Sequence, residues 1–174
     1  MPQLQDPNFL RSVMMIVQHD EDGTFGLVLN RPADMSASDL CSGLDVKWGG
    51  DPDLPLHWGG PVQPQTGWML FADDGRPGAF ADEATELADG VYFAGSLDML
   101  REIAEAPPGD VLLFLGYAGW GPGQLEAEMA EGVWLTAPAS REALFSVESD
   151  ELWEHVVRGL GIDPATLILT PGVH

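Results

Sequence analysis

The stretch Val111-Leu112-Leu113-Phe114-Leu115-Gly116-Tyr117-Ala118-Gly119-Trp120-Gly121-Pro122-Gly123-Gln124-Leu125-Glu126 sets the reading of the whole chain. Its first five residues are continuously apolar, the pattern of a central strand buried on both faces. Residues 116–123 then hold four glycines, which let a backbone turn sharply and let another group approach it closely. Residues 122–131 read as a helix with Leu125 and Met129 four apart on one face, and Gly132 suits its C-terminal cap. A strand, a glycine-rich turn and a helix N-terminus form a natural ligand site, with Trp120 as a wall and backbone amides facing an anion or a carbonyl. The competing reading is a tight turn that lets strand and helix pack closely. The motif is not a phosphate-binding P-loop, because no Gly-Lys-Ser/Thr comes after it. It is not a dinucleotide fingerprint either, because Gln124 stands where the third glycine belongs.

Outward from this stretch, residues 12–19 and 25–30 read as strands joined by Asp20-Glu21-Asp22-Gly23-Thr24, a hairpin signal. Arg31-Pro32 ends the second strand. Ser36 with Asp39 has capping-box spacing and predicts a short helix to about Gly43. Residues 46–56 read as a loop, 67–72 as a strand, 73–78 as a turn and 91–94 as a strand. Ser96 caps a helix that runs to about Ala106, where Pro107-Pro108-Gly109 stops it. Residues 133–136 read as a sixth strand, Ser149 as the cap of a last clear helix with Leu152, Val156 and Leu160 on its buried face, and 167–169 as a last short strand. The mixed order with hairpins predicts an α+β fold, one domain over residues 1–174, with a mostly antiparallel sheet or barrel flanked by helices.

The chain has 28 acidic and 7 basic residues, a formal charge of -21. That surface repels phosphates and anionic membranes, so neither nucleic acid nor a membrane is an expected partner. With one cysteine, Cys41, no intrachain disulfide forms, which fits a reducing compartment. Residues 1–11 lack a signal-peptide pattern and no apolar run reaches membrane-spanning length, so a cytoplasmic protein is expected.

Few side chains suggest chemistry. Counted from Asp20, a calcium loop would need glycine sixth and glutamate twelfth; Phe25 and Arg31 stand there instead. His19, His57, His155 and His174 show no zinc-binding spacing, and no Gly-x-Ser-x-Gly elbow occurs. His57 abuts the second glycine turn, Trp58-Gly59-Gly60-Pro61, and reads as structural or as a polar pocket residue. Cys41 could pair with His57 as nucleophile and base, but between Leu40 and Leu44 it reads better as a small buried residue. Asn30-Arg31 ends a strand with a guanidinium suited to a carboxylate ligand or an internal ion pair. Trp68, Trp134 and Trp153 occupy core-like positions, whereas Trp58 and Trp120 lie in glycine turns. Glu126 with Glu128 carries little information in so acidic a chain.

Together Gly26-Leu27-Val28-Leu29-Asn30-Arg31-Pro32, Gly59-Gly60-Pro61-Val62, the 115–126 motif and Trp134-Leu135 resemble the AlgH/YqgE family, also called UPF0301 or DUF179. The resemblance implies a bulged, barrel-like α+β domain in a soluble bacterial protein; one member's name reflects a proposed transcriptional-regulator role. The chain departs from the family at Thr66, usually arginine, at Phe71, often histidine, and at Gly172-Val173-His174, usually a Gly-His pair. These readings favour a non-enzymatic regulatory or interaction module that binds a small ligand or a protein near its glycine turns. The candidate ligand-binding set is Asn30, Arg31, His57, Trp58, Gly59, Gly60, Gly116, Tyr117, Gly119, Trp120, Gly121, Gly123 and Gln124, with no catalytic residue, metal or cofactor assigned. The alternative is an enzyme acting on a small carbonyl or carboxylate compound through Asn30, Arg31, His57 and the helix N-terminus at 121–123. Direct DNA binding is the weakest reading, because phosphate contact needs clustered lysine and arginine.

Overall fold

In chain order the protein forms β1 (Met14–Asp20), β2 (Gly23–Val28), β3 (Pro32–Ser36), α1 (Ala37–Gly43), β4 (Pro55–Trp58), β5 (Val62–Ala72), β6 (Thr85–Ala88), β7 (Val91–Ala94), α2 (Leu97–Glu105), β8 (Val111–Trp120), α3 (Gln124–Ala130), a π-helical turn (Glu142–Ser146), α4 (Ser149–Gly159) and α5 (Pro164–Leu169). These elements come from a computed structural model that describes residues 11–72, 84–88 and 90–169. The strands run in the order β1-β2-β8-β5-β7-β6, with β4 added beside β8 and β3 beside β4. All pairs are antiparallel except β4 with β8, and the sheet curls into a nearly closed, barrel-like form.

The apolar run in β8 reflects burial on both faces of the sheet. Successive strand residues point to opposite sides. Leu113, with Met69 and Phe71 of β5, packs under α1 and α2 together with Cys41, Met99 and Ile103. Phe114 and Leu70, one residue away, face the opposite core with Leu27, Leu144 and Leu152, beneath the π-helical turn and α4. The Ser36 box forms as expected, with the Ser36 hydroxyl accepting from the Asp39 amide at 3.1 Å and Asp39 accepting from the Ser36 amide at 3.2 Å. Ser96 accepts from the Met99 amide and caps α2.

The first part of the glycine motif is strand, with β8 continuing through Gly116, Tyr117, Ala118 and Gly119 to Trp120, and the turn is confined to residues 121–123. The strand changes neighbours within the motif. His57 and Trp58 of β4 pair with Phe114 and Leu115, whereas Gly26, Phe25 and Thr24 of β2 pair with Ala118, Gly119 and Trp120. Gly116, at φ 76°, marks the switch. The second glycine turn crosses at this point. The Gly59 amide donates to the Leu115 carbonyl at 2.7 Å, and the Gly59 carbonyl accepts from Val28 at 2.9 Å. A Cβ on Gly59 would overlap the Gly116 carbonyl oxygen, one on Gly116 would overlap that of Gly60, and one on Gly60 would overlap the Tyr117 backbone. The two glycine motifs are therefore two backbones in direct contact.

Several local expectations change. Residues 55–58, read as the end of a loop and the start of a turn, form β4 because Phe114 and Leu115 supply a ladder. Thr85–Ala88 is a strand that pairs with β7. Residues 133–136 form no strand and pair with none of the described strands. Glu148, not Ser149, is the N-cap of α4, since the Ser149 hydroxyl faces His57 instead. Residues 167–169 close helix α5, which starts at Pro164, a residue whose fixed φ suits a first helical position. The predicted turn at 73–78 and the C-terminal 172–174 lie outside the described residues.

The crossing sets an expected stability difference between two glycines. Gly116→Ala meets both a left-handed φ and backbone overlap, and is expected to destabilise by about 2–4 kcal/mol. Gly132→Ala has φ 76° with nothing within 4 Å of an added Cβ, and should cost only about 1 kcal/mol. Chemical denaturation of both variants checks this; equal losses would show that the crossing contributes no steric constraint.

Candidate functional site

Beyond Trp120 the chain turns through Gly121-Pro122-Gly123 into α3, where a buried carboxylate organises its neighbours. Glu128 is 7% exposed. Its Oε2 accepts from the indole N–H of Trp120 at 2.9 Å and of Trp134 at 2.8 Å, and its Oε1 accepts from Gln124 Nε2 at 3.0 Å. Gln124 Oε1 in turn accepts the Gly121 amide at 3.0 Å. Charge-assisted bonds of this kind hold both indoles in fixed orientations, with rings edge to face at 5.9 Å. A further contact, His19 Nε2 to Glu126 Oε1 at 2.6 Å, ties α3 to the β1–β2 hairpin. Gln124 thus closes the Gly121–Gly123 turn that leads into α3, whose N-cap Gly123 has no side-chain cap.

Trp120, Trp134 and Trp153 together wall an apolar groove of about 640 Å³. Residues 11–16 and 133–140 line it, together with Leu125, Met129, Leu144 and Val157. Ile16, Met129 and Leu135 are 38%, 40% and 49% exposed along it, an unusual concentration of solvent-facing apolar side chains. The guanidinium of Arg11 lies 5.0 Å from the Trp153 ring centroid, and both residues also line a second cleft of about 600 Å³. Arg11 and Trp153 therefore partition the two cavities.

The second cleft holds Asn30, Arg31 and Ser149, with the acids Glu148, Asp150 and Glu154 on the same walls. Asn30 is committed to structure: its Oδ1 accepts from the Val13 amide and its Nδ2 donates to the Arg11 carbonyl. The Arg31 guanidinium donates to the Asn30 carbonyl at 3.2 Å, and partial burial lowers its pKa. His57 pairs with Pro32 in the sheet and is 6% exposed. Its Nε2 lies 3.5 Å from the Ser149 hydroxyl, its Nδ1 is buried with no hydrogen-bond partner among the described residues, and its ring leans on Phe114. Desolvation lowers its pKa.

The thirteen candidate residues thus fall in four places. Asn30, Arg31 and His57 lie at or beside the polar cleft. Gly59, Gly60 and Gly116 make the crossing, and half-buried Trp58 holds it by donating its amide to the Arg31 carbonyl. Tyr117 stacks on Phe25 at 4.5 Å in an aromatic cluster, with exposed Gly119 beside it on β8. Trp120, Gly121, Gly123 and Gln124 belong to the groove and its support. Trp120, placed by sequence in a turn, is a buried strand residue, while Trp134 and Trp153 are half-buried groove walls. Cys41 is fully buried, packed with Met99 and Ile103, and burial pushes its thiol pKa up. Glu128 does not stand out among so many acids, yet Trp120, Gln124 and Glu128 fall at four-residue intervals, the one trace of the clamp in the sequence. No helix of the described residues is long and apolar enough to cross a membrane.

Comparison with known proteins places this architecture. A family model described as AlgH-like, DUF179, matches residues 1–165. A UPF0301 protein of Myxococcus xanthus is 39% identical over 175 residues, covering 100% of this chain and 94% of that protein. One from Anaeromyxobacter dehalogenans is 40% identical over 180 residues, covering 98% and 89%. The solution structure of the AlgH protein from Pseudomonas aeruginosa superposes with a TM-score of 0.74 at 32% identity, covering 100% of this chain and 92% of that one. A crystal structure from Corynebacterium diphtheriae gives 0.73 at 28% identity, covering 91% and 82%.

Both buried polar groups can be tested by substitution. Glu128→Ala strands two indole N–H groups and should destabilise by about 2–3 kcal/mol, with a red shift of tryptophan emission. Unchanged stability and emission would mean that the clamp does not form. His57 has a folded-state pKa below its unfolded value of 6.5, so the folded state binds fewer protons. Stability is therefore full above about pH 6.5 and falls as pH drops below it. Denaturation midpoints between pH 8 and 5 should decline less steeply in His57→Asn; identical slopes would remove His57 as the cause.

Proposed function

The chain belongs to the AlgH-like family, and for it we propose a non-catalytic, cytoplasmic binding module that takes an apolar ligand group in the tryptophan-walled groove. One observation carries this reading. A groove of about 640 Å³ combines fixed aromatic walls with solvent-facing Ile16, Met129 and Leu135. Its size lies in the range of known ligand pockets, which are mostly apolar with a few placed polar groups. Glu128 absorbs both indole N–H groups, so the walls present carbon rather than unsatisfied polar atoms.

The alternative, an enzyme acting on a carbonyl or carboxylate compound, draws on the nearness of Arg31, His57 and Ser149 to one cleft. Its chemistry is poorly supported. A general base is normally oriented by a third group, and His57 Nδ1 has no hydrogen-bond partner among the described residues. Three carboxylates on the cleft walls disfavour an anionic substrate. A regulatory role, if exerted, would run through a protein or small-molecule partner, since the charge of -21 opposes contact with phosphates.

Titration with Nile red tests the groove. Saturable binding with a blue shift is expected. Leu135→Asp, a change at a half-exposed rim position, should weaken binding roughly tenfold while altering stability by no more than about 0.5 kcal/mol. Absence of saturable binding, or binding indifferent to Leu135→Asp, would overturn the assignment.

A further inference from the structure

Resting on the groove reading, we propose that the natural occupant is an extended, basic and apolar peptide segment that adds as a strand to the free edge of β1. The first observation is the pattern of the lining. A cavity over the face of a strand meets every second residue, because side chains alternate. This groove is lined by residues 11–16 without a gap and by residues 133–140 without a gap. Three consecutive residues of β1, Met14, Met15 and Ile16, meet it, and Met14 and Met15 belong to different apolar clusters, so the groove runs along the edge of β1 rather than over its face.

Among the described residues, that edge is open for hydrogen bonding. Among the described strands, β1 pairs with β2 alone. The Val13 carbonyl accepts from the Leu29 amide at 2.8 Å, and Met15 stands opposite Leu27 in the same register. In an antiparallel ladder the intervening residues turn their amides and carbonyls to the other side. Met14 and Ile16 thus direct theirs into the groove. An added strand would lie ~4.8 Å away and use those groups, while its alternate side chains enter the apolar interior. Residues 133–136 have the composition of a strand, yet form none opposite this edge.

Charge selects the occupant. A second copy of this chain would bring a further charge of -21 to the same edge. Glu126 and Glu142 are exposed and adjoin lining residues in sequence. Arg11, the cation that lines the groove, is stacked over Trp153. Main-chain pairing with lysine or arginine on the solvent side and leucine or valine on the groove side fits both the edge and the field.

The test uses the full chain and the synthetic peptide acetyl-Lys-Leu-Lys-Leu-Lys-Leu-Lys-amide, monitored by calorimetry and by amide hydrogen exchange. Saturable 1:1 binding is expected, with exchange at Met14 and Ile16 slowed and that at Met15 unchanged. The same peptide N-methylated at alternate residues, or with glutamate for lysine, should bind roughly tenfold more weakly or worse. Equal binding of the N-methylated peptide would overturn strand addition, and equal binding of the acidic peptide would overturn the charge selection. Nile red binding without peptide binding would overturn this inference and leave the groove reading in place; neither binding would overturn both. A concentration-dependent dimer that protects the same amides without peptide would also overturn it, in favour of self-pairing.

Discussion

The contact on which the rest depends is the crossing of two backbones, Gly59-Gly60 over Gly116-Tyr117. It brings peptide units closer than any Cβ would allow, and it is held by short amide–carbonyl bonds from Gly59 to Leu115 and from Val28 to Gly59. Because β4 and β2 occupy the same edge of β8 in succession, the chain needs a point where one hands over to the other. Gly116 supplies the left-handed bend and the absence of a side chain that such a handover demands. The curl of the sheet, the outward run of β8 to Trp120 and the placement of the β1–β2 hairpin all depend on it.

Downstream of the crossing, polar groups serve order rather than reaction. Glu128 fixes two indoles, Asn30 ties residues 11–13 to the end of the β2 segment, and Gln124 closes the turn that leads into α3. Burying a carboxylate is costly unless its lone pairs are filled, and here three N–H donors fill them. The outcome is a rigid apolar wall beside an edge strand. The polar cleft behind Arg11 and Trp153 has the reverse character, with arginines and carboxylates facing each other across one volume.

Much of the architecture is legible in the residues themselves. The 111–115 run announces a two-faced central strand, Ser36-x-x-Asp39 and Ser96 announce helix starts, and Asp22-Gly23 announces the hairpin. The failures have a common origin. His57-Trp58 forms a strand and Trp134-Leu135 does not, although the second is the more strand-like locally; a ladder partner exists for one and not for the other. The glycines of 116–119 look like a loop because glycine frees the backbone, and it is pairing with β5 and β2 that carries the strand through the left-handed bend at Gly116 to Gly119.

By itself, the sequence determined the class of fold, the acidic field and the family, because periodicity, capping, charge and a long specific motif are local properties. Tertiary structure alone decided that Gly59, Gly60 and Gly116 meet in a backbone crossing, that Glu128 joins Trp120 to Trp134, and that residues 11–16 and 133–140 line one groove. Each of those facts joins segments distant along the chain, and such a contact is closed by the packing of the whole sheet, not by the preference of any single residue.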